Sequence, residues 1–306
     1  MPEYVTSDET LAAIAERHGS TAARLRPLPH GVANRSFLLG DDLVLRIPRT
    51  QEFLADLVKE AAVIPVALRA GVRTPEIVAF DAGCSVVEVP YMVLTRAEGV
   101  DLARLDLPAT GTDRVLRQVG RELAKLHRLP APALPEVPVD DGEADPWAFT
   151  ERLAGDGWID REAARWLIRC FDRLSAHLPE DAPRVLIHGD VAPQNLLVSP
   201  RASRLGGIVD WGDAAWADPA ADFAKIPLTG VPAMLDGYRR EGIAADAPAW
   251  EARVLWFHLI WALGRLPDPA PRPGERHWSA PPAGRLLGLL RFFASAPPYP
   301  WNELAA

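Results

Sequence analysis

Two cysteines, Cys84 and Cys170, are all that 306 residues provide. That excludes a disulfide framework and a cysteine-rich zinc site, and it suits a reducing cytoplasm. Lysine is almost as scarce: Lys59, Lys125 and Lys225 stand against a background of arginine. No apolar run is long enough for a bilayer; the longest, 254–266, is interrupted by His258 and Arg265. The opening MPEYVTSDET lacks the basic and apolar regions of a leader peptide. The phosphate-cradling pattern GxxxxGK followed by Ser or Thr is missing throughout, which removes the P-loop nucleoside triphosphatases. Positive charge is in deficit as well. A formal net charge of −8 argues against nucleic acid as a partner and leans towards a cationic small molecule. These absences lead to the expectation of a soluble, cytoplasmic protein with no membrane partner.

What is present is a core and one informative segment. Hydrophobic residues make up 48% of the chain, and its length suits one large domain or two modest ones. Prolines gather at 129–138 and 266–282, as in stiff surface connections. The segment is 185–213, VLIHGDVAPQNLLVSPRASRLGGIVDWGD. Apolar runs at 185–187, 196–198 and 207–209 read as short strands, with the polar loop 188–195 between the first two. Asp190, Asn195 and Asp210 therefore fall where strands give out. Phosphoryl transfer needs this set: one Asp to orient the attacking hydroxyl and take its proton, an Asn and a second Asp to hold Mg²⁺. A competing reading joins His188 and Asp190 to His258 or His277 as a two-histidine, one-carboxylate iron site. It leaves Asn195 and Asp210 idle, and it wants a strand-rich barrel where the chain after Asp222 reads as helix.

His188-Gly189-Asp190, followed by Asn195 and then Asp210, resembles the catalytic segment of the antibiotic phosphotransferases. That family of aminoglycoside, macrolide and related small-molecule kinases shares the protein-kinase fold. Gly189 stands where protein kinases carry Arg, as is usual in the small-molecule branch, and the tail DPAADF at 218–223 is also similar. The likeness covers most of the chain and is loosest in its C-terminal quarter. It implies an α+β, bilobal protein-kinase-like fold. An N-terminal lobe with hinge (1–98) would hold an antiparallel sheet and one main helix, ahead of a larger, mainly helical lobe (99–306). It implies an enzyme that moves the γ-phosphoryl group of ATP or GTP, with Mg²⁺, onto a small-molecule hydroxyl. The first expectation for the acceptor is an antibiotic of aminoglycoside or macrolide type, with resistance as the outcome. The alternative is a metabolite such as an amino alcohol, homoserine or a sugar. A kinase-like binding protein without catalysis is the rival outside enzymes. A monomer or weak dimer is expected.

The resemblance also assigns roles along the chain. A helix over 10–18, capped by Ser7 or Asp8, precedes the turn at 29–40, whose Gly31, Asn34 and Ser36 would lie nearest the phosphates. The strand 43–47 places Leu43, Leu45 and Ile47 on one face and Val44 and Arg46 on the other. Arg46 occupies the position where the kinase fold supplies a phosphate-binding Lys, and Arg can bind phosphate bidentately. On the next helix, 52–70, Glu60 shares the apolar face of Leu57, Ala61 and Ile64. A carboxylate facing a core needs a partner, and Arg46 is the natural one. Pro65 is expected to kink this helix. Residues 86–89 and 91–94 read as an antiparallel pair leading to a hinge at 95–99. There adenine would meet the Thr95 carbonyl and the Ala97 N–H, with Leu94 bordering the pocket.

Helices are expected over 112–129, 160–178, 232–240, 248–266 and 282–295, with His127 as a packed residue. In the family the C-terminal helices wall the acceptor pocket. Trp256, His258 and Trp261, with Asp213, are the acceptor-binding candidates. An aromatic wall suits a bulky, partly apolar acceptor, whereas Asp236, Glu241, Asp246 and Glu251 would suit an aminated one. His188 should hold the catalytic loop by hydrogen bonding, and Asp218 and Asp222 should cap backbone amides.

Overall fold

Strand-forming alternation in the first hundred residues builds one antiparallel sheet. Five strands lie in the order β1-β2-β3-β5-β4: β1 (Leu25–Pro27), β2 (Asn34–Leu39), β3 (Leu43–Pro48), β4 (Ile77–Asp81) and β5 (Tyr91–Thr95). The computed structural model describes residues 3–28, 32–130, 134–140, 145–179, 184–199, 201, 203–243, 249–268 and 282–304. Helix α1 (Asp8–Arg17) opens on Ser7, whose Oγ accepts the Thr10 N–H at 3.1 Å. It packs Ile14 and Ala15 with Leu39, Leu45, Ile47, Tyr91 and Val93, so one face of the sheet is sealed by apolar contact alone. The other face carries Val44 and Arg46 towards helix α2 (Leu54–Arg69), which runs on through Pro65. Burying Leu57, Ile64 and Glu60 on that helix brings a carboxylate to the arginine.

The expected strand at 86–89 does not form. β5 lies between β3 and β4 instead, with Asp81 of β4 opposite Tyr91 and Phe80 opposite Met92. The reason is local: the Asp81 carboxylate accepts the N–H groups of Ser85 and Val86 at 3.0 Å each, and the Ser85 hydroxyl at 3.1 Å. Amides held by a side chain in a turn are lost to a ladder.

Beyond residue 99 the chain is mainly helical: α3 (Ala109–Leu126), α4 (Pro146–Gly155), α5 (Arg161–Ser175), α6 (Val231–Arg239), α7 (Ala249–Gly264), α8 (Pro282–Ala294) and the short α9 (Trp301–Leu304). Helix α4 was not anticipated from the sequence; Asp145 caps it through the N–H groups of Trp147 and Ala148. Helices α3 and α6 meet backbone to backbone. A Cβ at Gly120 would fall 2.0 Å from the Met234 carbonyl oxygen, and one at Gly237 2.0 Å from that of Arg117. Short strands carry the loops of interest: β7 (Val185–Ile187) pairs with β10 (Ala215–Ala217), and β6 (Val100–Asp101), β8 (Leu196–Ser199) and β9 (Arg204–Ile208) form a three-stranded sheet. Among the described residues no helix is long and apolar enough to cross a membrane, and Cys84 and Cys170 are both free thiols.

Candidate active site

The loop after β7 hangs from one buried carboxylate. Asp222 accepts the N–H of His188 at 2.9 Å and that of Gly189 at 2.8 Å. His127 supports it from behind, with Nε2 3.1 Å from Asp222 and Nδ1 2.9 Å from the Tyr238 hydroxyl. Burial would raise the Asp222 carboxyl, but His127 and the His188 amide outweigh it and hold the group below the usual carboxylate range. His188 is wholly buried, tilted over Trp211 with ring centroids 4.4 Å apart, and its Nδ1 receives the Asp190 N–H at 3.2 Å. It holds the loop, as expected. Gly189 has φ +79°, and a Cβ there would lie 2.1 Å from the Asp213 carbonyl oxygen, so no larger residue fits this loop unchanged.

Removing Asp222 should therefore be costly. Asp222→Ala strands His127 and two amides, with an expected loss of about 3–5 kcal/mol of stability at neutral pH. Because the native carboxyl titrates low, its contribution is complete above the ordinary Asp pKa of about 4 and is lost as pH falls through the native value. Urea unfolding of both proteins at neutral and acidic pH should show the gap narrowing in acid.

Asp190, released from this loop, is fixed by two donors. Its Oδ2 accepts Asn195 Nδ2 at 2.6 Å, and its Oδ1 lies 2.9 Å from Lys225 Nζ. Lys225 also stands 3.4 Å from Asp213 Oδ2, which puts Asp213 on the outer edge of the same group. Lys225 was not singled out from the sequence, although it is one of three lysines and follows the DPAADF tail closely.

Asn195 closes a single turn, Pro193–Asn195, and its carbonyl accepts the Val209 N–H at 3.0 Å, which ties it to the approach of Asp210. With its amide nitrogen spent on Asp190, its side-chain oxygen is the donor left for a hard cation. Asp210 adopts φ +73° and receives Arg46 Nη2 at 2.7 Å. The other arm of Arg46 binds Glu60, as expected from the sequence. Burial works against the Arg46 charge, yet Glu60 and Asp210 outweigh it and raise its pKa. Burial pushes the Glu60 carboxyl up to about 7 against the pull of Arg46.

Asn195, Asp210, Arg46 and Glu60 line a cleft of about 330 Å³ together with Asn34, Ser36, Leu94, Thr95 and Ala97. Gly31 lies outside the described residues. The N–H groups of Thr95 and Arg96 are spent on the carbonyls of Glu76 and Asp42, at 2.8 and 2.7 Å, which fixes the segment bearing the Thr95 carbonyl and the Ala97 N–H. An amide oxygen and one carboxylate are a hard, sparse donor set that suits Mg²⁺ completed by phosphate oxygens and water. Among the described residues no group of three His, Cys, Asp or Glu side chains is placed to hold a metal, so the iron reading finds no triad there; His277 lies outside them.

The acceptor-side expectations fare unevenly. Trp256 is buried in the core, its ring meeting Trp147 and Phe171 edge-on at 5.5 and 5.1 Å. Helix α7 is buried nearly all round, and periodicity could not say which face mattered. His258 is buried, and burial followed by the charge of Arg285 lowers its imidazole to about 3. Trp261 is half-buried beneath the Arg285 guanidinium. The acidic residues are neutralised within the helices: Asp236 by Arg117 and Arg240 at 2.9 Å each, and Glu251 by Arg239 at 2.8 Å. Glu241 stands 4.0 Å from Arg121, and Asp246 lies outside the described residues.

The pattern of the phosphotransferase enzyme family matches residues 24–256, which takes in the sheet, the catalytic loop and the start of α7. Viomycin phosphotransferase of Streptomyces vinaceus is 29% identical over 170 residues, 51% of this chain and 56% of that protein. Aminoglycoside 3'-phosphotransferase of Streptomyces fradiae is 35% identical over 108 residues, 31% of this chain and 39% of that protein. The matched region thus spans about half of the first relative and less of the second. The solved GDP complex of wild-type aminoglycoside 2'-phosphotransferase-IIIa superposes with a TM-score of 0.67 at 22% identity, over 89% of this chain and 93% of that one. The shared architecture is the kinase-like fold.

Proposed function

The chain belongs to the phosphotransferase enzyme family, and from that premise we propose that it transfers the γ-phosphoryl group of ATP or GTP to a hydroxyl of a small molecule. The observation that carries the proposal is Asp190, held between Asn195 and Lys225 beside a cleft that also presents Arg46 and Asp210. Asp190 would orient the acceptor hydroxyl and take its proton. Arg46, braced by Glu60, would hold nucleotide phosphates, while Asn34 and Ser36 border them and the Thr95–Ala97 backbone meets the base. Mg²⁺, held by Asn195 and Asp210, would neutralise charge on the phosphates in transfer. In this reading residues 1–98 hold the nucleotide and residues 99–306 the acceptor. The protein works in the cytoplasm as a monomer or weak dimer.

The acceptor named first is an antibiotic, as the names of the relatives suggest, with His258, Trp261 and Asp213 on the acceptor side. The second reading, a metabolite kinase, is favoured by the internal pairing of Asp236 and Glu251, which leaves those carboxylates little charge to offer an aminated drug.

Mg²⁺ with ATP or GTP should raise the melting temperature, and chelation should reverse it. A ligand at 100 times its Kd adds about 2.7 kcal/mol of stability. A further rise on adding aminoglycosides, macrolides, amino alcohols or sugars identifies the acceptor class. No shift with either nucleotide in the presence of Mg²⁺ contradicts the proposal.

A further inference from the structure

Burial separates the arginines of this protein into two kinds. Arg46, Arg253 and Arg285 are the buried ones among the described residues. Arg46 is neutralised by Glu60 and Asp210, and Arg253 by Asp218. Arg285, with only 6% of its surface exposed, has no carboxylate partner among the described residues, and its Nε is buried without a hydrogen bond. A buried, unpaired guanidinium is costly, and chains keep such a group where something else supplies the counter-charge.

Its surroundings point towards the reaction centre. The guanidinium carbon lies 3.9 Å from the centroid of Trp261, so one flat face is covered and the N–H edge is directed within a plane. Nη1 donates to the Lys225 carbonyl at 2.6 Å, and Lys225 Nζ in turn holds Asp190 at 2.9 Å. One residue therefore ties Arg285 to the base. Burial brings the guanidinium down to about 10, and the charge of Asp190 pulls the other way, so the two groups feel each other's field.

Resting on the phosphotransferase reading above, we infer that the acceptor carries a carboxylate that seats on Arg285 while its hydroxyl lies at Asp190. A planar fork with an unused donor suits a carboxylate better than a lone ammonium would. The same two cations, Arg285 and Lys225, disfavour a polyaminated molecule beside the base. The class is thus a hydroxy acid or hydroxy amino acid, not a polycation.

The test assays phosphoryl transfer from labelled nucleotide to matched hydroxyl compounds: glycerate and homoserine, the primary amide of each, and kanamycin. The wild type, Arg285→Gln and Arg285→Lys are compared. The carboxylates should be used about 10- to 100-fold better in kcat/KM than their amides, as for a lost charged hydrogen bond. Arg285→Gln should close that gap, Arg285→Lys should restore part of it, and the nucleotide KM should stay constant. Preference for an amide or for kanamycin overturns the inference while leaving phosphotransfer standing. So does an equal loss for every acceptor in Arg285→Gln, or bound nucleotide with no transfer to any compound. Failure to bind Mg²⁺-nucleotide overturns the phosphotransferase reading instead.

Discussion

Asp190→Asn is expected to lower kcat by about 10²–10⁴-fold, the usual contribution of a positioned general base. A hydroxyl is a poor nucleophile at neutral pH, so the carboxylate that orients it and takes its proton governs turnover. The substitution keeps the shape of the side chain and its contact with Asn195 but removes the charge that faces Lys225 at 2.9 Å. Nucleotide affinity should barely move, because Asp190 is not among the residues that line the cleft holding Arg46 and Asp210. Asp210→Asn should behave differently, losing Mg²⁺-nucleotide binding together with turnover. Steady-state kinetics and nucleotide Kd, measured for both variants, check the contrast. A near-normal kcat in Asp190→Asn would remove the base from the mechanism.

Arg46→Ala should weaken the protein and its nucleotide binding at once. Glu60 is 1% exposed and would be left without its counter-ion, a loss of about 3–5 kcal/mol for a broken buried pair. Arg46→Lys should keep partial activity, since one ammonium cannot span Glu60 and Asp210 as the guanidinium fork does. The two effects can be separated. Arg46→Ala combined with Glu60→Leu should recover much of the stability and none of the nucleotide affinity. Denaturant melts and nucleotide titrations of the single and double variants give the answer, and normal turnover by Arg46→Ala would mean that another group clamps the phosphates.

The features legible in the sequence were those set by local rules. Glu60 on an apolar helix stripe announced a buried partner, and strand alternation put Arg46 on the facing side. The spacing of Asp190, Asn195 and Asp210 marked strand ends, and two short pairs, β7 with β10 and β8 with β9, hold the loops that carry them. What escaped was set by long-range folding or by side-chain competition. Lys225 and Arg285 acquire meaning only when the chain past Asp222 and helix α8 return to the loop. The expected strand at 86–89 was lost to the Asp81 side chain, which no hydrophobic pattern reports. Helix α4 had a legible start in Asp145-Pro146, an N-cap followed by proline at the first turn, that apolar periodicity passes over. The inward packing of Trp256 was not legible because an all-round apolar helix gives no facing direction.

The γ-phosphoryl group itself can be followed in a single turnover. Nucleotide labelled in that group is mixed with Mg²⁺, an acceptor found by thermal shift, and either the wild type or Asp190→Asn. Label should appear in a phosphate ester of the acceptor for the wild type, at a rate Asp190→Asn lowers by about 10²–10⁴-fold with unchanged nucleotide Kd. Label released only as inorganic phosphate, or ester formed equally fast by both proteins, would contradict transfer to the acceptor with Asp190 as its base.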